Sequence, residues 1–280
     1  MKKTALVIML ITIISKVLGF GREILLSYFY GASGITDAYL VSLTIPGVIF
    51  SFIGAGIGTS FVPMFSRIRQ EQGTKAAVRY TNNLINVVLL LCTVIVVGGL
   101  IFTRPIVRVF ASGFSGEILE LTIRFARISI FAIYFTGLIG IFSGYLRLNN
   151  SYLVPNLIGF PMNIVIILSL FISSKTSVYV LLVGTLLARV AECLFMVPFA
   201  RRKGYRFQPV LNFRDENLKA MAHVAMPVIF GTSINQINKL VDRTLASGIT
   251  VGGISALNYA ARLNGFVQGL FVMSISTVMY

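Results

Sequence analysis

The feature that most constrains this chain is a series of apolar runs, each long enough to cross a bilayer. A membrane-spanning helix needs about 20 mostly apolar residues. Candidate spans of at least that size fall at 4–31, 36–66, 81–110, 118–147, 152–173, 178–200, 216–246 and 254–280. Turn-forming residues separate several of them: Gly31-Ala32-Ser33-Gly34, Gly113-Phe114-Ser115-Gly116, Asn149-Asn150-Ser151 and the stretch 248–253. The runs are too long for barrel strands and lack a two-residue alternation, so a transmembrane barrel is excluded. Charged residues make up only 12% of the 280, against about 25% in a soluble domain. A soluble fold, a disordered chain and a disulfide scaffold are therefore excluded as well. The expectation is an all-α polytopic membrane protein of about eight transmembrane helices.

The first fifteen residues have the form of a signal peptide, two lysines and then an apolar run. No small-residue cleavage site follows, and the apolar character continues to Gly31, so an uncleaved first span is expected. Cys92 and Cys193 sit inside apolar runs and read as hydrophobic filler. Without a CxxC pair, and with His223 as the single histidine, zinc sites and histidine-based hydrolase motifs have no basis.

The chain carries 24 Lys and Arg against 9 Asp and Glu, a net charge of +15. On a soluble protein that excess would suggest nucleic acid. On an apolar chain it belongs first to cytoplasmic loops. With the N-terminus placed inside, thirteen cations fall in cytoplasmic segments: Lys2, Lys3, Arg67, Arg69, Lys75, Arg79, Arg147, Arg201, Arg202, Lys203, Arg206, Arg214 and Lys219. Three, Arg104, Arg108 and Lys175, fall outside. That asymmetry predicts a cytoplasmic N-terminus. The basic run 201–219 needs no role beyond topology and attraction to an anionic leaflet.

Eight cations remain inside the proposed spans: Lys16, Arg22, Arg124, Arg127, Arg189, Lys239, Arg243 and Arg262. Charge at that depth is costly and marks candidate function. Lys16 and Glu23 share one helix face, and Ser15 and Arg22 another, by their seven-residue spacing. They form either a structural Lys–Glu pair with a snorkelling arginine or a cationic site for a phosphate-bearing substrate. Asp37 caps the second helix or acts as an outer gate that pairs with a cation. Arg124 and Arg127 fit snorkelling to the outer interface. Arg189 and Glu192, three apart, can pair within the membrane. Asn235, Asn238, Lys239 and Asp242 form one stripe, so Asp242 either pairs with Lys239 or holds Na+ or a proton with Asn235 and Asn238. Ser255, Tyr259 and Arg262 form another stripe, and Arg262 has no acid on its own helix, so it needs a partner from elsewhere.

Several segments resemble the MurJ (MviN) family of lipid II flippases, within a MATE-like superfamily. They are SKVLGFGREILLSYFYGASGITDAYLVS with the following IP, then SFVPMFSR, QINKLVDRTLASG and ALNYAARLNGF. The resemblance runs over essentially the whole chain and implies two pseudo-symmetric lobes within about fourteen helices. Residues 1–200 would be the first lobe with helices one to six, 201–215 a cytoplasmic linker, and 216–280 the first two helices of the second lobe. It implies a transporter, not an enzyme, in the bacterial inner membrane. It would move an undecaprenyl-diphosphate-linked peptidoglycan precursor between leaflets through a cationic cavity by alternating access. On this resemblance Lys16 (usually Arg in the family), Arg22, Arg262, Ser15 and Ser255 would contact substrate. Asp37 and Glu23 would gate, and Asp242 would respond to Na+, H+ or membrane potential, with no other cofactor.

Expected partners are lipid II, membrane lipids and cell-wall synthesis proteins, not nucleic acid. One departure is that Phe50-Ser51 stands where the family carries an arginine. Other readings are an exporter of a different polyprenyl-linked oligosaccharide, a cation-coupled drug exporter, or a truncated membrane scaffold that does not transport. The last reading rests on an ending in mid-helix at Tyr280.

Overall fold

The computed structural model describes the backbone of residues 2–279 and the side chains of 7–268 except residue 233. The side chains of Lys2 and Lys3, counted above for topology, lie outside the described residues, as does Tyr280. Ten helices and no strand are present among the described residues. They are α1 (Lys2–Tyr30), α2 (Gly34–Ile101), α3 (Thr103–Phe110), α4 (Gly116–Ser129), α5 (Ala132–Leu148), α6 (Leu153–Leu157), α7 (Gly159–Ser173), α8 (Val178–Arg202), α9 (Glu216–Ile249) and α10 (Gly253–Met279).

Among the described residues, three helical segments are long and apolar enough to cross a membrane: Gly34–Ile101, Leu153–Ser173 and Val178–Arg202. The pair α4 and α5, bent by 41° at its break, makes a fourth. The span expected over 118–147 is thus built from two helices with a bend between them. The charge-bearing helices α1, α9 and α10 are not among these segments.

The two spans expected at 36–66 and 81–110 form the arms of α2. Gly73 interrupts the helix with φ 86° and ψ 172°, a conformation open to glycine and strained for other residues. The chain reverses there. Phe61 and Tyr80 would lie about 28 Å apart along a straight helix, yet their rings stack with centroids 6.3 Å apart. The second arm ends at Ile101, where the expected span breaks before α3.

Pro46 lies inside the first arm and cannot donate to the carbonyl of Ser42. The Ser129 hydroxyl of α4 donates to that carbonyl instead, at 2.5 Å, so a helix defect becomes an interhelical contact.

Two apolar cores flank the middle of the bundle. One, toward Gly73, joins Phe61, Phe65, Ile85, Ile141, Tyr145 and Met196. The other, toward Asp37, joins Val41, Ile45, Phe125, Ile166, Leu170 and Leu181. The helix α9 lies along α2, and α10 packs on both α1 and α9. The charged positions sit where α1, α2, α7 and α8 meet α9 and α10.

Candidate functional site: a charged central cavity

Three adjoining cavities open along that junction, of about 470, 300 and 500 Å³. The first is lined by Arg22, Glu23, Arg189, Glu192, Arg243 and Arg262 among others. The second adds Lys16 beside Arg22, Glu23 and Arg262. The third adds Lys239 and Asp242 beside Arg243 and Arg262. Six of the eight cations placed within spans therefore line these spaces, with three carboxylates, among the described residues. Arg124 and Arg127 do not line them.

Glu23 is the centre of the arrangement. It is 8% exposed, and its carboxylate accepts from Arg22 Nη2 at 2.6 Å and lies 3.7 Å from Arg262 Nε. Asn258 Nδ2 donates to its second oxygen at 3.4 Å. Arg262 thus finds its external acid on α1. Glu23, expected as a gate, sits in the middle of the site, because 100° per residue turns it beside Arg22 toward α10. Arg22 also donates to Asn163 Oδ1 of α7 at 3.2 Å. One carboxylate is thus shared by two guanidiniums from different helices.

Ser15 does not reach these cavities. A side chain added at Gly159 would run into Ser15 Oγ, so Ser15 packs against α7. The α1 face that carries Ser15, Gly19 and Arg22 is the face laid on Gly159 and Asn163. Arg189 and Glu192 form the pair that their spacing allows, at 2.8 Å, with the Glu192 side chain almost fully buried.

The stripe on α9 divides. Lys239 and Asp242 line a cavity, whereas Asn235 and Asn238 are exposed and line none of the three. Rotation of α9 brings Gln236 and Arg243 to the wall in their place. Among the described residues no cluster of three His, Cys, Asp or Glu side chains could hold a metal ion.

Asp37 has a definite partner, and it is not a cation. Its two carboxylate oxygens accept from the backbone N–H groups of Gly252 and Ser255, each at 2.7 Å. These are donors at the start of α10, which lack helical acceptors and favour an anion. Asp37 thus caps α10 from α2. Gly252, at φ 86°, presses so close to the Ala32 carbonyl that a side chain would not fit. Ser255, expected at substrate, is wholly buried in this latch, its hydroxyl bonded to Gly252 O. Nearby, Thr244 donates to Val109 O at 2.9 Å, Gly113 N to Ser247 Oγ at 3.1 Å, and Tyr259 to Gly31 O at 3.1 Å. This end of the junction is closed.

Two contributors escaped sequence reading, and a third was named but not singled out. Asn163 and Asn258 are amides whose partners lie on other helices. Arg243 was one cation among eight, but its Nη1 is buried without a hydrogen-bond partner, and its Nη2 reaches only Asn258 Oδ1, at 3.4 Å. Its i,i+4 relation to Lys239, a like charge on one face, was the available signal.

A family model for the lipid II flippase MurJ matches residues 26–280. A probable lipid II flippase MurJ of Buchnera aphidicola (subspecies Baizongia pistaciae) is 27% identical over 99% of this chain and 55% of its own length. The lipid II flippase MurJ of Burkholderia cenocepacia is 26% identical over 96% of this chain and 54% of its own. Among solved structures, a lipid II flippase MurJ in an inward closed conformation superposes with a TM-score of 0.83 at 26% identity, over 98% of this chain and 57% of that one. An inward-facing multidrug-resistance MATE transporter shares the fold, with a TM-score of 0.73 at 19% identity over 90% of this chain and 59% of that one. The chain spans about half the length of the curated relatives it matches. It is a multi-pass membrane protein, and it belongs to the MurJ family of lipid II flippases.

Proposed function

We propose that the full-length protein moves lipid II, the polyprenyl-diphosphate-linked peptidoglycan precursor, from the inner to the outer leaflet of the bacterial inner membrane, with its N-terminus in the cytoplasm. The observation that carries this reading is the convergence of Arg22 and Arg262, from opposite sides of the junction, on the single carboxylate of Glu23. A diphosphate would replace Glu23 as the shared acceptor, and two guanidiniums offer it bidentate, charge-assisted hydrogen bonds. Lys16, in the adjoining cavity, adds a further cation beside them.

In this reading the Asp37 latch is the outer gate, and the exposed loops at the Gly73 end face the cytoplasm. Loss of the contacts at Gly252 and Ser255 would open the cavity outward. Asp242 is the proposed site of response to Na+, protons or membrane potential, without Asn235 and Asn238. Dependence of transport on Na+ that disappears in Asp242→Asn would support it.

The decisive experiment is complementation of a flippase-depleted strain by the full-length gene. Arg22→Gln with Arg262→Gln should abolish rescue at normal protein levels, and normal rescue would refute the diphosphate site. Ser51 favours one second reading. It lines the third cavity, at the Phe50-Ser51 position where the resemblance implies an arginine, and the lost cation suits a polyprenyl-linked oligosaccharide other than lipid II. Binding of lipid II against other polyprenyl-linked glycans separates the two.

A further inference from the structure

At the Gly73 end, away from the central cavity, a basin of about 1000 Å³ lies between α2 and the segment that leads into α9. Three cations line it: Lys75 and Arg79 from α2, and Arg206 from the connecting segment. Among the described residues none of the three side chains has a hydrogen bond or ion pair. Of the acids in this region, Asp215 itself lines the basin, and both it and Glu71 already have partners. Glu71 is bound by Arg67 at 2.9 Å. Asp215 accepts from Asn217 N at 2.9 Å as the cap of α9, and from Asn83 Nδ2 at 3.2 Å.

The basin is built, not incidental. Asn82, Asn83 and Asn86 hold the connecting segment by its backbone. Asn82 donates to Arg206 O at 2.9 Å and accepts from Gln208 N at 3.1 Å. Asn83 donates to Asn212 O at 2.9 Å and accepts from Asn212 N at 2.7 Å. Asn86 donates to Val210 O at 2.8 Å. Asn82 and Asn83 are buried, and so is Tyr205, whose hydroxyl donates to Asn82 Oδ1 at 2.9 Å. This clamp holds the backbone at Arg206 against α2 before any ligand arrives, which lowers the ordering cost of binding. Lys75 and Arg79 stand i,i+4 on one helix face, where like charges repel. Three cations against the single carboxylate of Asp215 leave the lining with an excess of positive charge, which suits an anion. Arginine forks suit phosphate oxygens, and the surrounding amides supply neutral donors.

We propose that this basin binds a phosphate group, from either an anionic lipid headgroup or a soluble phosphate compound, at a site separate from the central cavity. The test uses the full-length gene product, purified without phosphate and reconstituted in phosphatidylcholine nanodiscs. Inorganic pyrophosphate is titrated by calorimetry, and retained phosphatidylglycerol is counted by native mass spectrometry. The triple variant K75Q/R79Q/R206Q is compared with R108Q/R127Q/K175Q, which removes the same charge from exposed positions outside the basin. We expect binding of at least one probe to weaken roughly tenfold in the first triple and to hold in the second. Loss for pyrophosphate identifies phosphate itself as the ligand, and loss for phosphatidylglycerol alone identifies the lipid headgroup. Equal loss in both triples, no loss in the first, or no binding of either probe by the unmodified protein overturns the proposal. R79Q alone, which breaks no bond within the protein, should show the same direction and guards against misfolding of the triple. R22Q/R262Q should keep the basin's binding, so failure of the central diphosphate site and failure of the basin are read separately.

Discussion

Arg243 and Arg189 show how differently two arginines of one cavity are held. Arg189 neutralises the buried Glu192 at 2.8 Å. Arg243 has a buried Nη1 without an acceptor and only a long contact to Asn258. Removal of one member of a buried ion pair strands the other, whereas loss of an unsatisfied cation relieves a cost. Arg189→Met should therefore lower stability by about 2–3 kcal/mol, at the low end because Arg189 is part exposed. Arg243→Met should be neutral or stabilising by up to about 1 kcal/mol. Thermal unfolding of the full-length protein in one detergent measures both, and a larger loss at Arg243 would contradict this account. The sequence placed both arginines within spans but gave no means to rank them, because the ranking depends on partners fixed by packing.

Among the helices, α2 and α9 hold the architecture together, and each does so through a local feature. The reversal at Gly73 needs φ 86°, so Gly73→Ala should cost about 1–3 kcal/mol. Gly58 lies in the same helix with open space around it, so Gly58→Ala should be neutral or slightly stabilising. Chemical unfolding of the pair separates backbone strain from general sensitivity of α2.

The asparagine clamp is the second such feature. Asn83 makes three hydrogen bonds to the segment before α9. Asn83→Ala should raise the rate of tryptic cleavage after Arg206 roughly tenfold, through local opening. An unchanged rate would show that the segment is held by other means. Tyr205 reports the same packing. Burial, with Tyr145 close by, pushes its phenol up to about 12. The turn at Gly73 was legible only as a break somewhere in 67–80, and the clamp not at all. Asparagines in an apolar helix carry no mark of what they bind.

For the molecule as a whole, the closed end depends on contacts between segments more than two hundred residues apart. Asp37 binds two backbone donors at the start of α10. Hydrogen bonds to a charged group contribute about 1.5–3 kcal/mol each. Asp37→Asn replaces one acceptor oxygen with a donor and faces it toward an N–H group. On the proposed outward opening, the closed state should lose about 2 kcal/mol relative to the open one. A cysteine at Ala246, which is buried at this end, would then react with a membrane-impermeant maleimide up to about thirtyfold faster. Cys92 and Cys193 are buried and contribute little background. Unchanged reactivity in Asp37→Asn would remove Asp37 from the latch.

The sequence by itself determined the helices, the membrane and the short set of charges worth attention. Those follow from local physics: apolar runs of bilayer length, glycine and proline at breaks, and the high cost of charge within a span. Family segments around Lys16, Arg22 and Arg262 also narrowed the site. Tertiary structure alone decided who meets whom. Arg262 finds Glu23 across the junction, Asp37 caps a distant helix instead of pairing with a cation, and Ser15 and Ser255 turn into packing and latch. Periodicity fixes which face of a helix a residue occupies, but the rotation and register of that helix against its neighbours are set by long-range packing.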